Sequence, residues 1–157
     1  MPANNKVVAF DLYRTLLLTS GTRLWRRHQL EYTWRLNGMD VQPVLTQLSE
    51  IPTITAVVFS NGTQSMVSNS LQNSPDLSPH ASVFTDIVSA GGSSVQRGDI
   101  YPVGGYPFDI VGARSVGLSA IWVDRGGRGW MDAAPPELRP TVVVRSLEEI
   151  VEVVQGA

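Results

Sequence analysis

Polar and acidic residues stand directly after two apolar runs of this sequence. Asp11 follows the run at 7–10, and Ser60 and Asn61 follow the run at 54–59. A carboxylate in such a place costs free energy to desolvate unless it is paired or used in chemistry. Ser60 and Asn61 add a hydroxyl and an amide beside it. The structural alternatives are that Asp11 caps a turn and that Asn61-Gly62 is an ordinary turn dipeptide.

The two apolar runs predict the strands that position these residues. A continuous apolar run is typical of a strand buried on both faces of a parallel sheet. We predict strands over 6–11 and 54–60, with the polar residues at their carboxyl ends. Ligands bind at that edge of open α/β sheets. Asp11, Ser60 and Asn61 are therefore predicted to share one crevice.

The rest of the chain continues as alternating helices and strands. Helices are predicted over 22–38, 63–73 and 108–116 and from 147 onward, and strands over 83–89, 119–123 and 141–144. Residues 90–102 and 126–136 are predicted to be loops because they are rich in Gly, Ser and Pro. Gly117 is predicted to end the helix before it. The alternation predicts an α/β fold with a parallel sheet.

Several motifs resemble those of the haloacid dehalogenase superfamily, and most of all its type II L-2-haloacid dehalogenases. Phe10-Asp11-Leu12-Tyr13-x-Thr15-Leu16 is similar to the first motif, Phe59-Ser60-Asn61-Gly62 to the second and residues 107–114 to the fourth. Residues 24–34 resemble the first cap helix of the subfamily. The resemblance implies one domain over 1–157, an α/β Rossmann-like core with a parallel sheet, and a truncated helical cap inserted at 19–51.

The same resemblance implies nucleophilic catalysis by a carboxylate. Asp11 would attack C2 of a short 2-haloacid, displace halide and form an ester that water hydrolyses. The implied catalytic residues are Asp11, Thr15 and Asp109, and the implied substrate-binding residues are Tyr13, Arg26, Ser60 and Asn61. Tyr13 stands where the phosphatases of this superfamily carry a general acid. Halide needs no proton to leave, so Tyr13 favours dehalogenation over phosphoryl transfer.

The chain departs from the family pattern in three respects. The family has a lysine beside the nucleophile, whereas Lys6 is the one lysine here, which leaves Arg97 as the candidate replacement. Both the cap and the segment before the fourth motif are short. Without a facing cation, Asp11 and Asp109 are expected to raise the pKa of one of the pair by repulsion. Two alternative functions therefore remain: a degenerate relative without turnover and a phosphatase of the same fold.

Composition bounds the remaining possibilities. The chain has 157 residues, a net charge of −2 and no cysteine, which excludes disulfides and thiolate metal sites and gives no sign of nucleic-acid binding. No apolar run is long enough to span a bilayer, and the amino terminus does not resemble a signal peptide. We expect a cytoplasmic protein with a small 2-haloacid as its partner. Neither nucleic acid nor a membrane is expected as a partner, and a homodimer stays open.

No cofactor is implied for dehalogenation. Phosphoryl transfer in this superfamily needs Mg²⁺, which is held by oxygen ligands. Asp11 and Asp109 would make a weak site for that ion if the chain were a phosphatase.

Overall fold

Parallel strands form one sheet in the part of the chain that the computed structural model describes, which is residues 6–11, 15–16, 39–60, 63–89 and 97–157. The strands are β1 (Lys6–Asp11), β2 (Ile54–Ser60), β3 (Phe84–Ser89), β4 (Ile100–Gly104), β5 (Ile121–Val123) and β6 (Val142–Val144). Their order across the sheet is β3-β2-β1-β4-β5-β6. The helices are α1 (Val41–Glu50), α2 (Gln64–Asn73), α3 (Pro107–Ser115) and α4 (Glu149–Gln155).

Side chains alternate between the two faces of each strand, and this sheet buries both faces. We call the side that carries Val8 and Phe10 the back face. Residues of α1, α2 and α4 pack there into the largest hydrophobic cluster of the described residues. The side that carries Val7, Ala9 and Asp11 we call the front face. Of the helices that the structure describes, α3 alone packs on it, against β5.

Local signals in the sequence are confirmed at several elements. β1 and β2 occupy the predicted ranges, and α2 begins after the N-cap Thr63, whose Oγ1 accepts a hydrogen bond from the Met66 N–H. Gly117 has a φ of +81° and ends α3. Its N–H donates to Arg114 O and the Leu118 N–H donates to Ala113 O, at 3.0 and 3.1 Å. This pair of bonds is a Schellman motif.

The predicted loop over 90–102 is wrong at its end, because residues 100–102 belong to β4. Pro102 obscures the strand, since proline cannot donate to a sheet ladder. Pro102 pairs with Ala9 of β1, whereas pairing with β5 begins only at Val103. The proline therefore lies where β4 is still locally an edge strand.

The predicted cap helix at 22–38 lies outside the described residues. The end of the predicted insertion at 19–51 is α1, which packs on the back face through Val44, Leu45 and Leu48. No helix among the described residues is long and apolar enough to cross a membrane.

Candidate active site

The carboxyl ends of β1 and β4 lie side by side at the centre of the sheet. From β1 the chain proceeds outward through β2 and β3, and then returns to the other side of β1 for β4, β5 and β6. The strand order therefore reverses between β1 and β4. In open α/β sheets this reversal opens a crevice at the carboxyl ends, and ligands bind there. Asp11 is the last residue of β1, and Gly104 is the last residue of β4.

Asp11 lies on the front face beside this crevice. Its place in the strand puts its side chain on the same face as Val7 and Ala9, and the residue is half-buried. Asp11 pairs in register with Phe59 of β2. It lines a cavity of about 650 Å³ together with Asp109, so two of the predicted catalytic residues meet at one space.

Asp109 reaches this cavity from the first turn of α3. Pro107 stands at the first position of the helix, where its fixed φ suits the helical turn. The Asp109 side chain then lies against the Gly104 backbone, since a Cβ added to Gly104 would stand 3.1 Å from Asp109 Cβ. Glycine at 104 thus leaves room for the carboxyl group.

Burial changes the acid strength of Asp109. Desolvation raises its pKa from 3.8 to about 6, because burial disfavours the charged form of a carboxyl group. Among the described residues, its buried Oδ2 has no hydrogen-bond partner. A raised pKa at this pair was expected from repulsion between the carboxylates. Burial is instead the cause at Asp109.

Thr15 links the segments that follow β1 and β4. Its side chain is fully buried, and its Oγ1 accepts a hydrogen bond from the Gly105 N–H at 2.9 Å. Its backbone oxygen accepts a second bond from Arg125 Nη2 at 3.0 Å. The residue therefore holds the two chain segments beside the crevice in a fixed relation.

Arg125 and Asp40 form a buried ion pair that the sequence did not indicate. Arg125 Nε and Nη2 donate to the two Asp40 carboxylate oxygens at 3.0 and 3.1 Å. Asp40 Oδ2 also accepts the Leu147 N–H at 2.8 Å. This network joins the segment at Thr15 to the start of α1, the end of β5 and the approach to α4. Residues so far apart in sequence carry no local signal of their pairing.

The other predicted site residues divide between described and undescribed segments. Ser60 ends β2 and is buried, and the alternation of the strand assigns it to the back face with Val58. Tyr13, Arg26 and Asn61 lie outside the described residues. Arg97 opens a short 3₁₀ turn over Arg97–Asp99, while its side chain also lies outside them.

The cavity has the size and lining of a small-molecule site. Ligand pockets in proteins measure about 300–1,000 Å³ and are mostly apolar with a few polar groups. Most of its described lining is apolar, and Asp11 and Asp109 are the carboxyl groups within that lining. In the described part of the chain no three His, Cys, Asp or Glu side chains converge on a metal position. Those two carboxyl groups are thus the acidic ligands that this wall would offer to Mg²⁺.

Solved structures share this architecture over nearly the whole chain. A 2-haloacid dehalogenase from Pseudomonas syringae pv. Tomato DC3000 aligns with a TM-score of 0.64 and 19% identity, over 96% of this chain and 98% of its own. The fold of this chain is that of the haloacid dehalogenases. The L-2-haloacid dehalogenase from Xanthobacter autotrophicus with chloropropionic acid covalently bound also aligns over 96% of this chain and 98% of its own. Its TM-score is 0.64 and its identity is 17%.

A structure named for other chemistry shares the fold. A candidate phosphatase from Clostridium difficile aligns with a TM-score of 0.59 and 15% identity, over 96% of this chain and 99% of its own. No protein-family model and no curated protein sequence matches this chain. The fold is therefore established by structure, and the reaction must be argued from the site.

Proposed function

We propose that this chain is a hydrolase that releases halide from 2-haloalkanoic acids through an aspartyl ester. The observation that carries the proposal is the position of Asp11. It ends a central parallel strand where the strand order reverses, and it borders a cavity together with a second carboxyl group. A carboxylate nucleophile needs such a place, since it must meet a small substrate away from bulk water.

In the proposed first step, a carboxylate oxygen of Asp11 attacks C2 of the substrate. The new C–O bond forms as the carbon–halogen bond breaks, and the halide leaves with the bonding electron pair. Asn61 is proposed to orient the substrate carboxylate, whereas Ser60 is buried on the back face and lies outside the described lining of the cavity. Arg26 is proposed to receive the halide, because a guanidinium has a fixed charge and several donors.

In the second step, water attacks the carboxyl carbon of the ester. The 2-hydroxy acid leaves with one original oxygen of Asp11, and an oxygen from water replaces it. Asp109 is proposed to take the proton from this water. With a pKa raised to about 6 by burial, it is mostly ionised at neutral pH and a better base than an ordinary aspartate.

Two alternatives keep a specific observation in their favour. A phosphatase shares the fold, but Tyr13 stands where that chemistry needs a general acid. A relative without turnover is favoured by the missing lysine. In the described part of the chain Arg125 comes near Thr15, and its guanidinium is already bonded to Asp40.

Halide release from 2-chloropropionate tests the proposal. We expect release by the purified protein, and a loss of about a thousandfold or more in Asp11→Asn because the nucleophile is removed. Asp76→Asn is the matched control. Asp76 is exposed in the segment between α2 and the amino end of β3. Asp11 lies at the carboxyl ends of the strands, so the Asp76 variant should keep full activity.

A single turnover in heavy-oxygen water identifies the nucleophile. Trypsin releases the peptide of residues 7–14, in which Asp11 is the one acidic side chain. We expect that peptide to gain one heavy oxygen atom. Absence of halide release would favour the relative without turnover. Hydrolysis of a phosphate monoester that needs Mg²⁺, with no label in the peptide, would favour the phosphatase.

A further inference from the structure

The cavity extends from Asp11 along the front face of the sheet. Val7 and Asp11 both line it and lie on the same face of β1. A strand rises about 3.3 Å per residue, so these two positions are about 13 Å apart. The space is therefore longer than a short 2-haloacid, and one end of it lies at the proposed nucleophile.

Away from Asp11 and Asp109, this cavity is suited to hydrocarbon. Its walls include Val7, Ala9, Val57, Ile100 and Pro102 from three neighbouring strands. Thr55 and Thr85 are the other polar side chains in its described lining, which contains no Arg, Lys or His. A charged group placed among these walls would lose its hydration without gaining a partner, whereas an uncharged aliphatic chain would lose only its contact with water.

Helix α3 leaves the space open because its cavity side carries small residues at its centre. Phe108, Gly112, Ala113 and Val116 all line the cavity, at the spacing of one helix face. Apart from the backbone of its own helix, a Cβ added to Gly112 would meet no atom of the described residues within 4 Å. The small residues at the middle of the helix thus border the cavity between the larger side chains of Phe108 and Val116.

We infer that this cavity holds the alkyl chain of the substrate, and that the substrate class is 2-haloalkanoic acids with a long unbranched chain. The inference rests on the proposed function. C2 lies at Asp11, and the chain runs along β1 toward Val7. Gly112 is then a specificity-determining residue, because any larger side chain there occupies the space of the alkyl chain.

Chain-length dependence of kcat/KM tests this inference. Each buried methylene strengthens binding about fourfold, so burial of about two of the additional methylenes of 2-chlorodecanoate already raises its kcat/KM over that of 2-chloropropionate by about tenfold or more. Gly112→Leu should bring the ratio of the two values close to one. Ser115→Leu, which places the same side chain on an exposed position of α3 outside the lining, should preserve the ratio.

The outcomes separate this inference from the proposed function. Halide release from 2-chloropropionate with no preference for the longer acid would overturn the inference and leave the proposed function standing. If neither acid releases halide, the proposed function fails. Calorimetry with decanol then tests independently whether the cavity binds an alkyl chain. Binding to the wild type that Gly112→Leu abolishes supports an alkyl-chain site, and no binding refutes it.

A second copy of the chain is the rival occupant. Phe59, Phe108 and Val116 at the cavity are 41%, 59% and 54% exposed, and such apolar side chains can also bind a protein surface. Sedimentation of the wild type and Gly112→Leu distinguishes the two occupants. A monomeric wild type supports the alkyl chain, and a dimer that Gly112→Leu dissociates would overturn the inference.

Discussion

At the residue scale, Asp109 combines a stability cost with its proposed role as a base. Folding moves its carboxyl group out of water without providing, among the described residues, a hydrogen-bond partner for Oδ2. The pKa rises to about 6 as a result. The proposed role needs the ionised form, which is the form that burial disfavours. Functional carboxyl groups are often held in such environments.

We predict that Asp109→Asn stabilises the protein at neutral pH. Because the native pKa exceeds the unfolded value, the native state binds more protons between about pH 4 and pH 6. The free energy of unfolding of the wild type therefore falls as pH rises through that window, and stays lower above it. Asparagine has no such titration.

Thermal unfolding at several pH values measures this effect. The Tm difference between Asp109→Asn and the wild type should be largest at pH 7 and shrink below pH 6. Asp76→Asn makes the same substitution at an exposed position and is the matched control. A Tm difference that stays constant from pH 4 to pH 7 would contradict burial as the cause of the raised pKa.

Glycine has opposite effects on stability at two positions of the α3 segment, one inside the helix and one just beyond its end. Gly112 lies inside the helix, where an added Cβ would meet no side chain of the described residues, whereas Gly117 lies beyond its end at a φ of +81°. Glycine inside a helix lowers stability relative to alanine. At a left-handed position it avoids the steric cost that any Cβ brings.

The two glycines therefore predict opposite effects of one substitution. Gly112→Ala should raise the free energy of unfolding by about 0.5–1 kcal/mol. Gly117→Ala should lower it by about 1–2 kcal/mol, because alanine is strained in the left-handed conformation. Urea denaturation measures both variants side by side. Equal effects on the two would contradict the Schellman end of α3.

At the scale of the whole molecule, the Asp40–Arg125 pair joins segments that are far apart in sequence. The two side chains are only 10% and 12% exposed. Their network also includes Thr15 O and the Leu147 N–H. A buried ion pair can contribute little net stability, but losing one partner leaves the other buried and unpaired.

We predict that Asp40→Ala lowers the free energy of unfolding by about 3 kcal/mol or more. Asp132→Ala is the control, since Asp132 is exposed and its Oδ1 also accepts a backbone N–H, from Ala134. Its effect should be much smaller. A double variant, Asp40→Leu with Arg125→Met, should be less destabilised than the sum of its single variants. Additive effects in denaturant titrations would show that the two side chains are not coupled.

Elements with local signals could be predicted from the amino-acid sequence. The apolar runs that form β1 and β2, the N-cap Thr63 and the helix end at Gly117 all depend on residues that are neighbours along the chain. Asp11 at the end of a central strand follows from the same local pattern. These features were predictable because strand periodicity and capping involve only short stretches of backbone.

Features that depend on contacts between distant segments could not be predicted from the sequence and are seen in the folded chain. β4 is a strand because β1 offers it a partner, despite Pro102. Burial of Asp109 depends on how α3 packs against Gly104, and Arg125 meets Asp40 only once β5 and α1 are in place. The cavity likewise has walls from strands and from α3 that are far apart in sequence. Desolvation, ion pairing and empty volume are properties of the packed chain, so no single segment of the sequence encodes them.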